Sequence, residues 1–97
     1  MKVHELLNNE SKWTQTYTAR NKNNNPVSAN SPDAIKWCTS GAIQKCYGMK
    51  LAMFTTFEIL NKLRKEIKKT GKYLSIGHWN DKSDYKTIYN TLKKLDI

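Results

Sequence analysis

The chain has 97 residues, with 17 Lys+Arg against 8 Asp+Glu and a formal net charge of +9. That length holds one domain, residues 1–97, whose folding buries only about 60–65% of the unfolded surface, so a separate cofactor domain or a two-domain cleft is excluded. A hydrophobic fraction of 38% with 10% aromatics argues for a folded chain rather than a disordered one, and no apolar run approaches the roughly 20 residues that cross a bilayer.

Val3 to Glu10 reads as a short helix with Val3, Leu6 and Leu7 on one face. The first ten residues lack the apolar centre of a signal peptide. Trp13 to Arg20 is rich in Thr, Tyr and Trp, which suit a pleated strand. Alternation there puts Trp13, Gln15, Tyr17 and Ala19 on one face and Thr14, Thr16 and Thr18 on the other. Asn21 to Pro26 is a turn, with Pro26 ending regular pairing and Val27-Ser28 as the second arm of a small hairpin. Ser31-Pro32-Asp33 reads as N-cap, N1 and N2 of a helix running to Tyr47 and stopped by Gly48. Ile35, Cys38, Ala42 and Cys46 make its stripe, and Gly41 with Ala42 lets a neighbouring backbone approach closely.

After a short apolar linker from Met49 to Met53, Thr55 and Glu58 match a capping box, with Phe54 and Ile59 as a hydrophobic staple. The helix expected from Thr56 to Thr70, closed by Gly71, buries Phe57, Leu60, Leu63 and Ile67. Its opposite face carries Glu58, Lys62, Lys65 and Lys69. Lys72 to His78 reads as an extended connector. Asp81 or Ser83 then caps a last helix with Tyr85, Ile88, Leu92 and Leu95 on its apolar stripe and Lys93 and Lys94 in its last turn. The expected fold is mainly α: about four short helices packed as one domain, with a short β-hairpin between the first two.

Several of these pieces form an ordered set: Trp13-Thr14-Gln15, Ala19-Arg20, Pro26-Val27, Ser31-Pro32-Asp33-Ala34, Trp37-Cys38 with Gly41-Ala42, and Trp79-Asn80-Asp81. The set resembles a family of small bacterial and phage proteins known only as a domain of unknown function, over residues 13–81. The family has Gly before the first Trp and in the turn before Pro, where this chain has Lys12 and Asn24 or Asn25. The resemblance implies no activity; it implies a phage or mobile-element origin.

Candidate chemistry is sparse. Cys38, His78 and Asn80 or Asp81 could form a thiol–imidazole set, but Cys38 falls on the expected buried stripe, where thiols are inert. Cys38, Cys46, His4 and His78 lack metal-site spacing. The two cysteines are eight residues apart, about 12 Å on one helix, too far for a disulfide, which points to reduced thiols in a cytoplasmic setting. No catalytic residue, metal or cofactor is therefore expected.

The charge is a lysine excess: 15 Lys, 2 Arg and 10 Asn, as an AT-rich genome would favour. Residues 61–97 hold a net +6 and residues 1–60 a net +3. The candidate partner-binding residues are Lys62, Lys65 and Lys69 on one helix face and the corner Trp79, Asn80 and Asp81. Trp79 also reads as a core plug, and Asn80 or Asp81 as a cap. The leading expectation is a small non-catalytic binding protein, phage-encoded, that engages a host protein or acidic surface. The alternative is a non-specific nucleic-acid binder contacting phosphates through Lys, since no base-reading motif is present. A small Cys/His enzyme is the third class.

Overall fold

Val3, Leu6 and Leu7 are all buried, and they build the first helix, α1 (Val3–Leu6). Asn8 and Asn9 end it earlier than expected, because Asn side chains compete with the helix for backbone groups. The Asn9 side chain accepts the Ser11 N–H at 2.9 Å and opens a 3-10 turn, Glu10–Lys12. The computed structural model describes residues 1–48 and 53–97.

The strand expected over residues 13–20 survives only at its two ends. Trp13 bridges Trp37, with the Thr14 N–H donating to the Trp37 carbonyl at 3.1 Å. Ala19–Arg20 is β1, and Pro26–Val27 is β2, paired antiparallel as Ala19↔Val27 and Arg20↔Pro26. The hairpin differs slightly from the one expected: its first arm is only Ala19–Arg20, and its second is Pro26–Val27 rather than Val27-Ser28, so Pro26 joins the pairing instead of ending it. Asn24 turns the chain at φ 64°, and Asn21 Oδ1 accepts from the N–H groups of Asn23 and Asn25. Between the two ends the alternation fails. Thr16 sits at φ 77°, and Thr16 to Thr18 are all exposed.

The helix expected from Ser31 starts later. Ser31 does accept the Asp33 N–H through its hydroxyl, and the Ala34 N–H returns to the Ser31 carbonyl, so one turn forms. It stops there because the Ile35 N–H donates to the Arg20 carbonyl and Lys36–Trp37 becomes β3. The sheet order is β2-β1-β3, all antiparallel, with Ala19↔Trp37 and Arg20↔Lys36 as partners. The Trp37 indole is buried and donates to the Ala29 carbonyl at 2.9 Å. Ile35, expected on a buried stripe, is 45% exposed.

Helix α2 (Thr39–Tyr47) follows, with Cys38 as N-cap: its Sγ accepts the Gly41 N–H at 3.3 Å. Gly48, at φ 71°, ends it as expected. The small residues serve the close approach read from the sequence. A Cβ on Gly41 would overlap the Thr18 carbonyl, which also accepts the Cys38 N–H.

Helix α3 (Met53–Lys68) contains Thr55, which is therefore not an N-cap. Apart from Met53, the expected linker lies outside the described residues, and so does the Phe54 side chain of the expected staple. The Thr56 hydroxyl donates to the Gly48 carbonyl at 2.9 Å, tying α3 to the end of α2. Gly71 reverses the chain at φ 67°. Leu63 and Ile67 are buried, but Phe57 is 60% exposed, because α3 turns Leu63 and Ile67, not Phe57, toward the core.

The expected connector holds from Lys72 to Ser75, but Ile76 to His78 already belong to a helix, α4 (Ile76–Lys82), with Ser75 Oγ accepting the His78 N–H as its cap. The cap of the last helix, α5 (Tyr85–Lys94), is Asp84 rather than Asp81 or Ser83, with Oδ1 accepting the Thr87 N–H at 2.9 Å. Among the described residues the expected four α-helices are thus five, and the hairpin carries a third strand. α2 packs against α1, α3 and α4, and α1 against α5. The core fills the space between them with Val3, Leu7, Ile43, Leu63, Trp79, Ile88 and Leu92. Ile97 is buried too, and its carbonyl accepts the His4 N–H at 3.1 Å. No helix among the described residues is long and apolar enough to cross a membrane.

Gly41→Ala is expected to destabilise the fold by about 1–3 kcal/mol in urea unfolding, because overlap with a backbone carbonyl outweighs the better helix propensity of Ala. Acid should also weaken the fold. Hydrogen bonds from Lys94 and Lys69 hold Glu66 below its usual range, the Thr87 cap does so for Asp84, and Lys2 for Asp96. Groups lowered in the folded state stabilise it above the ordinary carboxylate range and lose that effect as pH falls through the depressed values. The urea midpoint should therefore drop below about pH 4, and the double variant Glu66→Gln/Asp96→Asn should show a flatter pH profile.

Candidate functional site

The Trp79-Asn80-Asp81 corner lies on α4, inside an element rather than on a connector. Trp79 is 3% exposed and fills the core, as its core-plug reading expected. Asn80 is 1% exposed, and its carboxamide joins three stretches of chain. Its Oδ1 accepts from the Trp13 indole at 2.8 Å, the Thr39 N–H at 2.9 Å and the Thr39 hydroxyl at 2.7 Å. Its Nδ2 donates to the Thr14 carbonyl at 3.1 Å. Asn80 therefore caps a helix, but the helix is α2 rather than the last one.

Asp81 is exposed, and its Oδ1 accepts the Thr16 N–H at 2.8 Å. That bond holds a β-branched residue at positive φ, a conformation such residues rarely adopt. The Gln15 amide nitrogen lies 3.0–3.1 Å from the carbonyls of Asn80, Asp81 and Ser83, the end of α4, where helix carbonyls lack partners. Arg20 braces the same segment: Nε donates to the Thr14 hydroxyl at 2.8 Å, one terminal nitrogen donates to the Asn24 carbonyl at 3.0 Å, and the guanidinium lies 4.7 Å from the Tyr17 ring. Trp79 and Asn80, proposed from sequence as contact residues, have no side-chain surface to offer a partner. They are buried because their polar atoms and ring complete the core.

Cys38 and His78 share no hydrogen bond. Cys38 is committed to its helix cap, and burial pushes its thiol up, away from the reactive thiolate; the Asp81 carboxylate acts in the same direction. Burial also raises the Cys46 thiol. His78 Nδ1 accepts the Leu74 N–H at 3.1 Å, and its ring meets Tyr73 edge-on. Both cysteines are free thiols. No group of three or more His, Cys, Asp or Glu among the described residues is placed to hold a metal ion.

The basic face of α3 divides into two stripes. The first is the one read from the sequence, Glu58, Lys62, Lys65 and Lys69, and all four are exposed. Two of its lysines are engaged internally. Lys62 Nζ donates to the Leu95 carbonyl at the end of α5, and Lys69 pairs with Glu66 at 3.0 Å. Glu66 also holds Lys94 at 2.7 Å.

The second stripe, Phe57, Asn61, Arg64 and Lys68, repeats at i, i+4, i+7 and i+11 and is also exposed. Arg64, Lys65 and Lys68 have no hydrogen-bond or ion-pair partner among the described residues. Together with Glu58, Asn61 and Lys62 they line a shallow, open depression. The second stripe is legible as a helical repeat, but Phe57, an aromatic whose type favours the core, disguises it as part of the buried face.

Asn80→Ala should lower the unfolding free energy by about 3–5 kcal/mol, since it strands the Thr39 N–H, the Trp13 indole N–H and the Thr14 carbonyl without partners. Asp84→Ala, which removes an exposed cap, should cost only a fraction of that. Urea unfolding of the two variants side by side measures the contrast, and equal losses would contradict it. Compared with protein-family models, curated proteins and solved structures, the chain matches none of them.

Proposed function

We propose that this is a small non-catalytic binding protein that engages an acidic protein partner through the outer face of α3 and the loop beyond it. One observation carries the reading. Arg64, Lys65 and Lys68 face solvent without an internal partner among the described residues, whereas Lys62, Lys69 and Arg20 are tied into the fold. A cation used as a cap or brace serves stability; an unpaired row on one face remains for a ligand of opposite charge. The ordered Trp, Ser-Pro-Asp and Trp-Asn-Asp motifs, together with the Lys- and Asn-rich composition, support kinship with the small bacterial and phage family. On that reading the partner is a host protein met in the host cytoplasm.

The net charge of +9 favours a second reading, contact with nucleic-acid phosphates. Two experiments separate the readings. In a pull-down from nuclease-treated host lysate, the wild-type chain should retain an acidic protein that Arg64→Ala/Lys65→Ala/Lys68→Ala loses, with the thermal midpoint of that variant unchanged. In a gel shift, duplex and single-stranded DNA should bind weakly and fade steeply between low and physiological salt. Tight DNA binding, with no protein retained after nuclease, would transfer the function to the nucleic-acid reading.

A further inference from the structure

The loop joining α3 to α4 presents Leu74 at 93% exposure. The neighbouring bonds hold the loop in shape. The Thr70 hydroxyl donates to the Ile67 carbonyl at 2.8 Å and accepts the Lys72 N–H at 3.2 Å. The Leu74 N–H donates to His78 Nδ1, Tyr73 packs edge-on against the His78 ring, and Ser75 caps α4. Each bond fixes backbone next to Leu74 while leaving its side chain in water. A leucine held out by a braced loop is an apolar group without an internal partner.

Beside Leu74 lies a cleft of about 230 Å³ between α3 and the loop. Ile67 and Ile76, 5% and 6% exposed, form its floor, and Tyr73 and Leu74 one wall. Arg64 and Lys68, one helical turn apart, stand on the other side, and no acidic residue lines the cleft. Phe57, 60% exposed, continues the Arg64–Lys68 stripe toward the start of α3. The result is an apolar recess rimmed by two unpaired cations.

We infer that this cleft seats an apolar side chain of an acidic protein segment, with Arg64 and Lys68 pairing the carboxylates on either side of it. This rests on the acidic-partner reading above and adds to it the apolar anchor and the place where it sits. Charge complementarity sets the sign of the partner, since both free groups on the rim are cationic. The apolar floor and Leu74 set its chemistry, because a phosphate backbone would gain nothing from them. The planar fork of Arg64 suits a carboxylate, which it can meet with two parallel hydrogen bonds.

The test is an amide NMR titration of the full chain with two synthetic peptides, Glu-Glu-Leu-Glu-Glu-Leu-Glu-Glu and the same peptide with Ser in place of Leu. The leucine peptide should shift amides within residues 64–76 and bind about tenfold more tightly than the serine peptide, as removal of one buried apolar side chain from an interface implies. Leu74→Ser should erase that difference, and Arg64→Ala/Lys68→Ala should weaken both peptides. All of these positions are exposed, so the variants should fold, and their thermal midpoints check it. Equal affinity for the two peptides, still lost in Arg64→Ala/Lys68→Ala, would overturn the cleft while leaving the charged face of α3 standing. Binding unaffected by Arg64→Ala/Lys68→Ala would overturn both. Oligothymidylate that shifts the same amides more strongly than either peptide, with no change in Leu74→Ser, would overturn the cleft in favour of phosphate.

Discussion

Asn80 brings a carboxamide oxygen and nitrogen into a place closed to solvent, and two distant stretches of chain, Trp13-Thr14 and Thr39, supply the groups that satisfy them. A buried amide that lost these partners would be strongly unfavourable, so the stretches are held to one another as well as to Asn80. Thr39 is thereby fixed at the start of α2, and Trp13 and Thr14 are fixed beside β3. Once those are placed, Thr18 lies against Gly41, Arg20 reaches Thr14 and Asn24, and Gln15 closes the end of α4. The irregular segment from Trp13 to Arg20, which contains little regular structure, is ordered by these side chains.

The charge of the molecule takes on a similar division of labour. Lys2 meets Asp96 at 2.5 Å across the termini, Lys62 closes the end of α5, and Lys69 and Lys94 share Glu66. These cations anchor α3 and α5 to each other and α1 to the C-terminal turn. Of the cations without a hydrogen bond or ion pair among the described residues, Arg64, Lys65 and Lys68 share one helix. Their helix and the loop beyond it also hold Phe57 and Leu74, 60% and 93% exposed. The same helix thus carries one edge that serves the fold and another that faces outward.

Local patterns made several elements legible in advance. The Asn-rich turn, the small volume at Gly41, the Gly48 and Gly71 reversals, and the apolar stripe of the last helix follow from short-range chemistry: positive φ, residue size and helical spacing. The Trp-Thr-Gln and Trp-Asn-Asp stretches were also visible, although not their purpose. The structure places Trp13, Thr14, Gln15, Thr39, Asn80 and Asp81 in one network, and no spacing along the chain reports that residues 13 and 80 meet.

The elements that differed are those where a tertiary bond competed with a local preference. Ser31-Pro32-Asp33 has the chemistry of a helix start, and its first turn forms, but pairing of Ile35 to Trp37 with β1 draws the chain into a strand and leaves Cys38 to cap α2. Ser75 opens a helix where an extended connector was expected, with Ile76 and Trp79 of that helix buried, and the last helix is capped by Asp84 rather than Asp81 or Ser83. Phe57 and Asn80 show the limit most plainly: an aromatic on an amphipathic helix stands in solvent, and an amide in a polar corner lies in the core. The sequence by itself determined the Asn-rich turn, the Gly48 and Gly71 reversals and the sign of the charge, because these depend on local residues or on composition alone. Tertiary structure decided which polar groups are buried and which cations stay free, because both depend on what the rest of the chain places opposite them.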